Sequence, residues 1–495
     1  MRNLCLKIQK LSLYKSLFKQ TLIYGLATVL PRMISFLLNP LYVHALPKQE
    51  FADVSIVFAW LVFFNVILSY GMETSFFRFY NTEANKKNVI STATISVFWT
   101  SIAFLIISLL YRNTISRWSN INLEYVTFAI WILTFDALAI IPFSKLRAEK
   151  KPMIYALIKI GNVSLNFSLN LFFLLLLPKL AYANPFGFFN SIYFPNSQVG
   201  YIFISNLLAS LITFLVLSPN YIKLKWHFDS KLWHKMIRYG FPILLAGIAF
   251  AINEHFDKIL LEKLHVSKSD IGAYSACYKI GMFMVLFRTA YTLGIEPFFF
   301  SHASNVNASQ TYATITKYFV IAGSFILLFV IVFIDVLKFL LVPNSSYWDA
   351  IKVVPLIILA NFFLGIYTNL SVWYKLIDKT MIGAYISIFG AIITFILNFW
   401  LVPIMSYYGS AIATIAAYGS MMFISYYLGQ KKYPIPYEIN KISKYLLISI
   451  TLSGLSFYVP ELRKSYIFGI LAIFFFGFFI YKNEKQLILK IIKRK

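Results

Sequence analysis

Long apolar runs separated by short polar breaks dominate the chain from residue 21 onward. Stretches such as "LFFLLLLP" and "FILLFVIVFI" lack the period-two alternation of a membrane β-barrel strand. A helix that crosses a bilayer needs about 20 predominantly apolar residues. The pattern predicts fourteen such helices, over 21–44, 53–71, 89–111, 122–142, 153–178, 198–218, 237–253, 271–300, 315–341, 351–374, 383–403, 407–428, 445–459 and 465–481. The predicted class is all-α and integral to the membrane. The longest polar breaks, near 179–197 and 219–236, are too short to bury a core of their own. The first run, interrupted by Pro31-Arg32 yet of spanning length, reads as a retained helix rather than a cleaved signal.

The pattern repeats. "YGLATVLPR" opens helix 1 and "YGFPILLAG" opens helix 7, each after a basic stretch. Glu50-Phe51-Ala52 with Ser55 leads into helix 2, as Asp270-Ile271-Gly272 with Ser275 leads into helix 8. "SLNLFFLLLLP" closes helix 5 and "ILNFWLVP" closes helix 11. Order and orientation are kept, which predicts two parallel six-helix lobes related by an axis along the membrane normal, plus two trailing helices. The organisation expected is a basic tail over 1–20, a first lobe over 21–218, a linker over 219–236, a second lobe over 237–428, and two helices with a basic tail over 429–495. Paired lobes favour a transporter whose site lies between them and opens to either side in turn. Duplicated bundles also serve as scaffolds, but a scaffold has no need of deep arginines.

Composition agrees with this class: 59% of the residues are hydrophobic and 13% charged, against about 25% charged in a soluble domain. The net charge of +26 would suit nucleic acid or an anionic membrane surface, and its distribution decides. With the N-terminus inside, and residues near a span's end counted with the nearer side, 30 of the 45 Lys and Arg fall on cytoplasmic tails and loops, about 11 outside and 4 deep within spans. That asymmetry places both termini in the cytoplasm and assigns the basic tails to anionic lipid rather than nucleic acid. Cys5 and Cys277 build no disulfide framework.

A charge at the bilayer centre costs roughly 2.5–3.5 kcal/mol on insertion scales, so each one calls for a reason. Lys159 is close enough to a helix end to snorkel. Arg32 in helix 1 and Lys279 and Arg288 in helix 8 fall on helices that can face the shared interface of a two-lobe transporter. Lys279 and Arg288 are nine positions apart, about 180° around a helix, so both reach one cavity only if the helix bends. The acids Asp136, Glu254, Asp257 and Glu296 are candidates for coupling to a proton or Na⁺ gradient, or for pairing with these cations, as Asp257 pairs most simply with Lys258. Asp335 and Lys338 read as a surface pair. A cationic cavity suits an anionic amphiphile, and guanidinium binds phosphate by two oxygens at once. "YGMETSFFRFYN", 70–81, sets Glu73 and Arg78 among aromatics where helix 2 ends: a plain interfacial anchor, or the inward mouth of a charged cavity.

No HExxH, P-loop, Asp-x-Asp or G-x-S-x-G motif is present, and the six histidines lack metal-ligand spacing, so neither an enzyme nor a metal site is expected. "GMETSFFRFYN", "PFSKLRAEKKPMIYALIKIGN", "DKILLEKLHVSKSDIGAYSACYKIG" and "YYGSAIATIAAY" together resemble the Wzx-type polysaccharide flippases of the multidrug/oligosaccharidyl-lipid/polysaccharide (MOP) exporter superfamily. The resemblance covers essentially the whole chain. It implies a V-shaped, cofactor-free transporter of the bacterial inner membrane. The cargo it implies is an undecaprenyl-pyrophosphate-linked oligosaccharide, moved outward for O-antigen, capsule or exopolysaccharide assembly beside a polysaccharide polymerase. Arg78, Arg147 and the Asp257-Lys258 pair are the positions it carries over; Arg32, Glu73, Lys279 and Arg288 rest on the charge argument. A lipid II flippase, a drug exporter of the same superfamily and a membrane-embedded glycan polymerase or ligase remain the alternatives.

Overall fold

The computed structural model describes residues 25–301, 307–377, 379–464 and 466–492, apart from the side chains of Glu296, Pro297, Phe300, Ser301 and residues 486–492. Among the described residues there is no strand. Among these residues, twelve helices are long and apolar enough to cross a membrane. Two further helices, of 34 and 20 residues, occupy the predicted places of helices 8 and 13. Hydrocarbon offers no partner to a bare peptide group, so continuous apolar runs close their hydrogen bonds internally as helices. By contacts the chain divides into Met1–Ile259 and Leu260–Lys495.

The first unit begins with α1 (Gly25–Ala45), α2 (Lys48–Ser69) and α3 (Met72–Thr82). Next come α4 (Lys86–Leu110), the short α5 (Arg112–Ser119), α6 (Leu123–Ala148) and α7 (Pro152–Leu171). A single π turn over Phe172–Leu176 leads into α8 (Leu177–Ala183), so the helix of the fifth span continues well past its predicted end. The unit is completed by the short α9 (Phe188–Ser191), α10 (Gln198–Leu217), the four-residue α11 (Pro219–Ile222) and α12 (Ser230–His255). Polar residues set several starts: Asn85, Asn122 and Asp229 each accept a backbone N–H from the first turn of α4, α6 and α12. At 26 residues, α6 is about 39 Å long, which exceeds a hydrocarbon core of about 30 Å. Its polar C-terminal turn therefore projects into water.

The sequence repeat assigns α12 to the second half of the chain, yet it packs on α2, α3 and α4 and falls in the first unit. The reason is local. Leu232 and Met236 of α12 enter a core made by Met72 and Phe76 of α3, Val89, Ala93 and Val97 of α4, and Ile141 of α6.

The second unit starts within α13 (Asp257–Lys263) and continues as α14 (Lys268–Ser301), α15 (Ala308–Val332) and α16 (Ile334–Leu341). A 3₁₀ segment, Ser345–Val353, feeds α17 (Val354–Leu370), α18 (Val372–Leu376), α19 (Met381–Met405) and α20 (Tyr407–Lys432). Last come α21 (Ile439–Tyr458), α22 (Pro460–Lys464) and α23 (Tyr466–Ile492). Its core gathers Tyr312, Ala360, Leu364, Trp373, Tyr418 and Met421. α14 runs through Gly281 without a break; a Cβ there would meet Ile357 at 2.6 Å, so this glycine serves close packing with α17.

Candidate functional site

Tyr70 and Gly71 both adopt left-handed backbone, with φ of 33° and 71°. This breaks the second span into α2 and α3 and gives α3 a direction of its own. α3 is amphipathic: Met72, Ser75 and Phe76 are buried, and Glu73, Phe77 and Arg78 lie on its other side. The break is tied to α12. A Cβ on Gly71 would stand 2.2 Å from the Gly240 carbonyl oxygen, so the two backbones touch through glycine alone. Ser75 Oγ donates to the Met236 carbonyl at 2.9 Å. Trp233 Nε1 donates to Ser96 Oγ at 2.8 Å, and the Tyr70 hydroxyl also bonds Ser96. Asn88 Nδ2 donates to Asp229 at 2.8 Å. The Leu232 N–H, with the Asn88 amide beside it, holds Asp229 below the usual carboxylate range.

On this scaffold sits a basic, aromatic rim. The last turn of α6 brings Arg147 to Glu73, with Nη1 donating to Oε1 at 2.7 Å. The guanidinium stands 4.7 Å from the Phe77 ring centroid and 5.9 Å from that of Tyr155 on α7. Arg78 lies 4.2 Å over Tyr239 of α12. Lys145 donates to Asn220, and Glu149 holds the Lys151 ammonium above its usual range. Arg147 and Glu73 remain 41% and 47% exposed, so this pair is screened by water and contributes at most about 1 kcal/mol to stability. One arm of Arg147 holds Glu73; the guanidinium has five donors in all, which leaves others for a phosphoryl oxygen.

The structure thus joins Glu73 to Arg147, 74 positions away, and sets Arg78 of the same helix over Tyr239 of α12. The other sequence-predicted residues have surroundings of their own. Asp136, within α6, accepts from Ser210 Oγ of α10 at 2.7 Å and interacts with Lys159 and Asn65. The Lys159 ammonium sits 4.3 Å over the Phe143 ring rather than reaching straight to the surface. Arg32 is exposed on α1. Asp257 and Lys258 are buried and paired with each other at 2.8 Å. Lys279 is half-buried and Arg288 buried. The Glu296 side chain lies outside the described residues. Among the described residues no three His, Cys, Asp or Glu gather as metal ligands would.

Two charged clusters escape the sequence reading. Lys317 of α15, buried, donates to Glu438 at 2.7 Å and to Glu484 of α23 at 3.1 Å, while Tyr445 of α21 donates to Glu484. It ties the last two long helices to α15. The Asp335–Lys338 pair is more than the surface pair expected: Arg463 of α22 donates to both Asp335 oxygens, at 3.0 and 2.9 Å. That fork holds Asp335 below the usual carboxylate range, with Lys338 adding to it. Partners 128 and 167 residues away leave no local pattern; the available signal was a lone Lys or Glu near the end of an apolar run.

The family model described as "Polysaccharide biosynthesis protein" matches residues 17–300, and the model described as "MatE" matches residues 242–400. No curated protein matches the chain in sequence. Among solved structures, the lipid II flippase MurJ in an inward closed conformation aligns with a TM-score of 0.69 at 15% identity, over 93% of this chain and 99% of its own. An inward-facing multidrug-resistance MATE transporter of the MOP superfamily aligns at 0.64 and 14% identity, over 84% of this chain and 95% of its own. A MOP-superfamily transporter from Pyrococcus furiosus, described as having a binding pocket of reversed polarity, aligns at 0.59 and 14% identity, over 86% of this chain and 96% of its own. At these identities the likeness establishes a shared fold, and the fold is that of the MOP transporters.

Proposed function

The chain belongs to the polysaccharide biosynthesis protein family, and from that premise we propose that it is a flippase for a lipid-linked oligosaccharide. The cargo is a polyprenyl-pyrophosphate-linked glycan unit, of the undecaprenyl type, carried from the cytoplasmic to the outer leaflet of a bacterial inner membrane for surface polysaccharide assembly. The rim of the first unit faces the cytoplasm, because it lies at the end where Lys86, Lys87, Lys145, Lys150, Lys151, Lys223 and Lys225 collect. Arg147 carries the reading. Its guanidinium is fixed by two aromatic faces and one carboxylate, an arrangement that supports recruitment of a pyrophosphate while an apolar tail stays in lipid. Arg78 over Tyr239 supplies a second cation, and Glu73 yields Arg147 to the incoming phosphate. Asp136 is the carboxylate proposed to couple transport to a proton or Na⁺ gradient, since it lies inside the helix bundle beside Lys159.

Mass spectrometry of lipid extracts from cells lacking the protein tests this directly. Lipid-linked oligosaccharide should accumulate and surface glycan disappear, wild type should restore both, and Arg147→Gln should restore little at equal protein level. The MatE match favours drug export as the second reading. Unchanged lipid-linked glycan together with altered dye efflux would replace the flippase by that exporter.

A further inference from the structure

The two halves of the chain share a second repeat. Gly71-Met72-Glu73 with Phe76-Phe77 matches Gly294-Ile295-Glu296 with Phe299-Phe300, and Lys145-Leu146 at the end of α6 matches Lys375-Leu376 at the end of α18. In the first unit the positions around this motif are apolar and filled: Leu68, Met72, Phe76, Leu138, Ala139 and Pro142 are all buried. Three of their counterparts in the second unit are polar: Tyr291 replaces Leu68, Thr368 replaces Leu138, and Asn369 replaces Ala139. There a cavity remains, with Thr292 and Lys375 also on its wall and Ile295, Phe299 and Val372 as its apolar part. It measures about 10 Å³, the room of one water molecule.

Its hydrogen bonding selects the guest. Thr292 and Thr368 donate back to the Arg288 and Leu364 carbonyls, which turns their oxygens into acceptors. The Tyr291 hydroxyl donates to Asn369 Oδ1, and Asn369 Nδ2 donates to the Gly365 carbonyl. The threonines of the lining therefore offer acceptors, with Lys375 and apolar side chains completing the wall. A phosphate needs several N–H donors, and among the described lining residues Lys375 alone carries a positive charge. A sugar hydroxyl both donates and accepts, and the carbon that bears it suits the apolar wall.

We propose that this cavity is a hydroxyl-recognition subsite of the second unit, which reads one hydroxyl group of the head-group glycan. The inference rests on the flippase reading and adds a place where the sugar, rather than the phosphate, is recognised. The test uses purified full-length protein in nanodiscs with farnesyl-pyrophosphoryl hexoses and their monodeoxy counterparts as probes. At least one deoxy probe should bind about fivefold more weakly than its parent, the loss of one hydrogen bond. Thr368→Leu with Asn369→Ala restores the large and small apolar residues of the first repeat and should abolish that preference while pyrophosphate binding persists. Lys375→Gln, which leaves the lining otherwise intact, should weaken it too. Equal binding of every deoxy probe to wild type, a preference that survives both variants, or no binding of any probe overturns the subsite. If cells lacking the protein still accumulate lipid-linked glycan, the flippase reading survives that failure.

Discussion

Two ion pairs, one in each unit, stand in opposite surroundings. The first unit keeps Arg147 and Glu73 at a wet rim, both more than 40% exposed; the second encloses Lys317 and Glu484, each 5% exposed. Water screens the first pair until neither partner depends on the other, so both are available to a ligand. Inside the second unit, losing either partner strands a charge. The same chemistry thus adds little to stability where it is exposed and holds helices together where it is buried.

Substitutions can break that contrast, and Lys317→Ala should have the largest effect on stability. It leaves Glu484 buried without its cation, costing about 3 kcal/mol. The melting temperature in detergent should fall sharply, and Lys317→Met with Glu484→Gln should recover part of the loss; an unchanged melting temperature would refute the structural role. Gly71→Ala should come next. It forces a side chain into left-handed backbone, at about 1–2 kcal/mol, and into the Gly240 carbonyl. Cross-linking of cysteines placed at Asn88 and Asp229 should decline with it, and a full yield would mean that α3 and α12 tolerate the methyl.

Asp335→Asn should cost on the order of 1 kcal/mol, since its group is partly exposed. Arg463 lowers the folded pKa of Asp335 below the unfolded value of about 3.9. Its contribution is therefore complete above that unfolded value and is lost as pH falls through the lowered one. An acid-unfolding curve of the Asn variant should lack that step. Arg147→Gln should change stability least, by under about 1 kcal/mol, yet reduce glycan export at least tenfold. A stability loss matching that of Lys317→Ala would place Arg147 among the buried structural pairs instead.

Much of this was legible in the sequence, and the limits have physical causes. Spans follow from apolar run length, which lipid enforces residue by residue. Glu73 and Arg78 stood out as charges among aromatics where an apolar run ends, whereas Arg147 came only with the family resemblance. The triad around Lys317 was not, because Glu484 lies past the end of the last apolar run and its partner is 167 residues away. Nor does the repeat reveal that α12 packs with the first unit; that depends on Leu232 and Met236 entering the core of α3 and α4, a choice of partner rather than of helix. The cavity near Lys375 lay in the repeat itself, at Leu138 against Thr368, and needed the structure to distinguish a filled position from an open one.

The junction of Gly71 with Gly240 has an entropic corollary. Most helix contacts freeze side-chain rotamers when they form and release them when they part, at roughly 0.5–1 kcal/mol for each Leu or Ile. Two glycines have no rotamers to freeze. The glycine contact itself therefore adds no side-chain entropy to the joining or parting of α3 and α12, and their attachment rests on Leu232, Met236 and the Ser75 hydrogen bond around it.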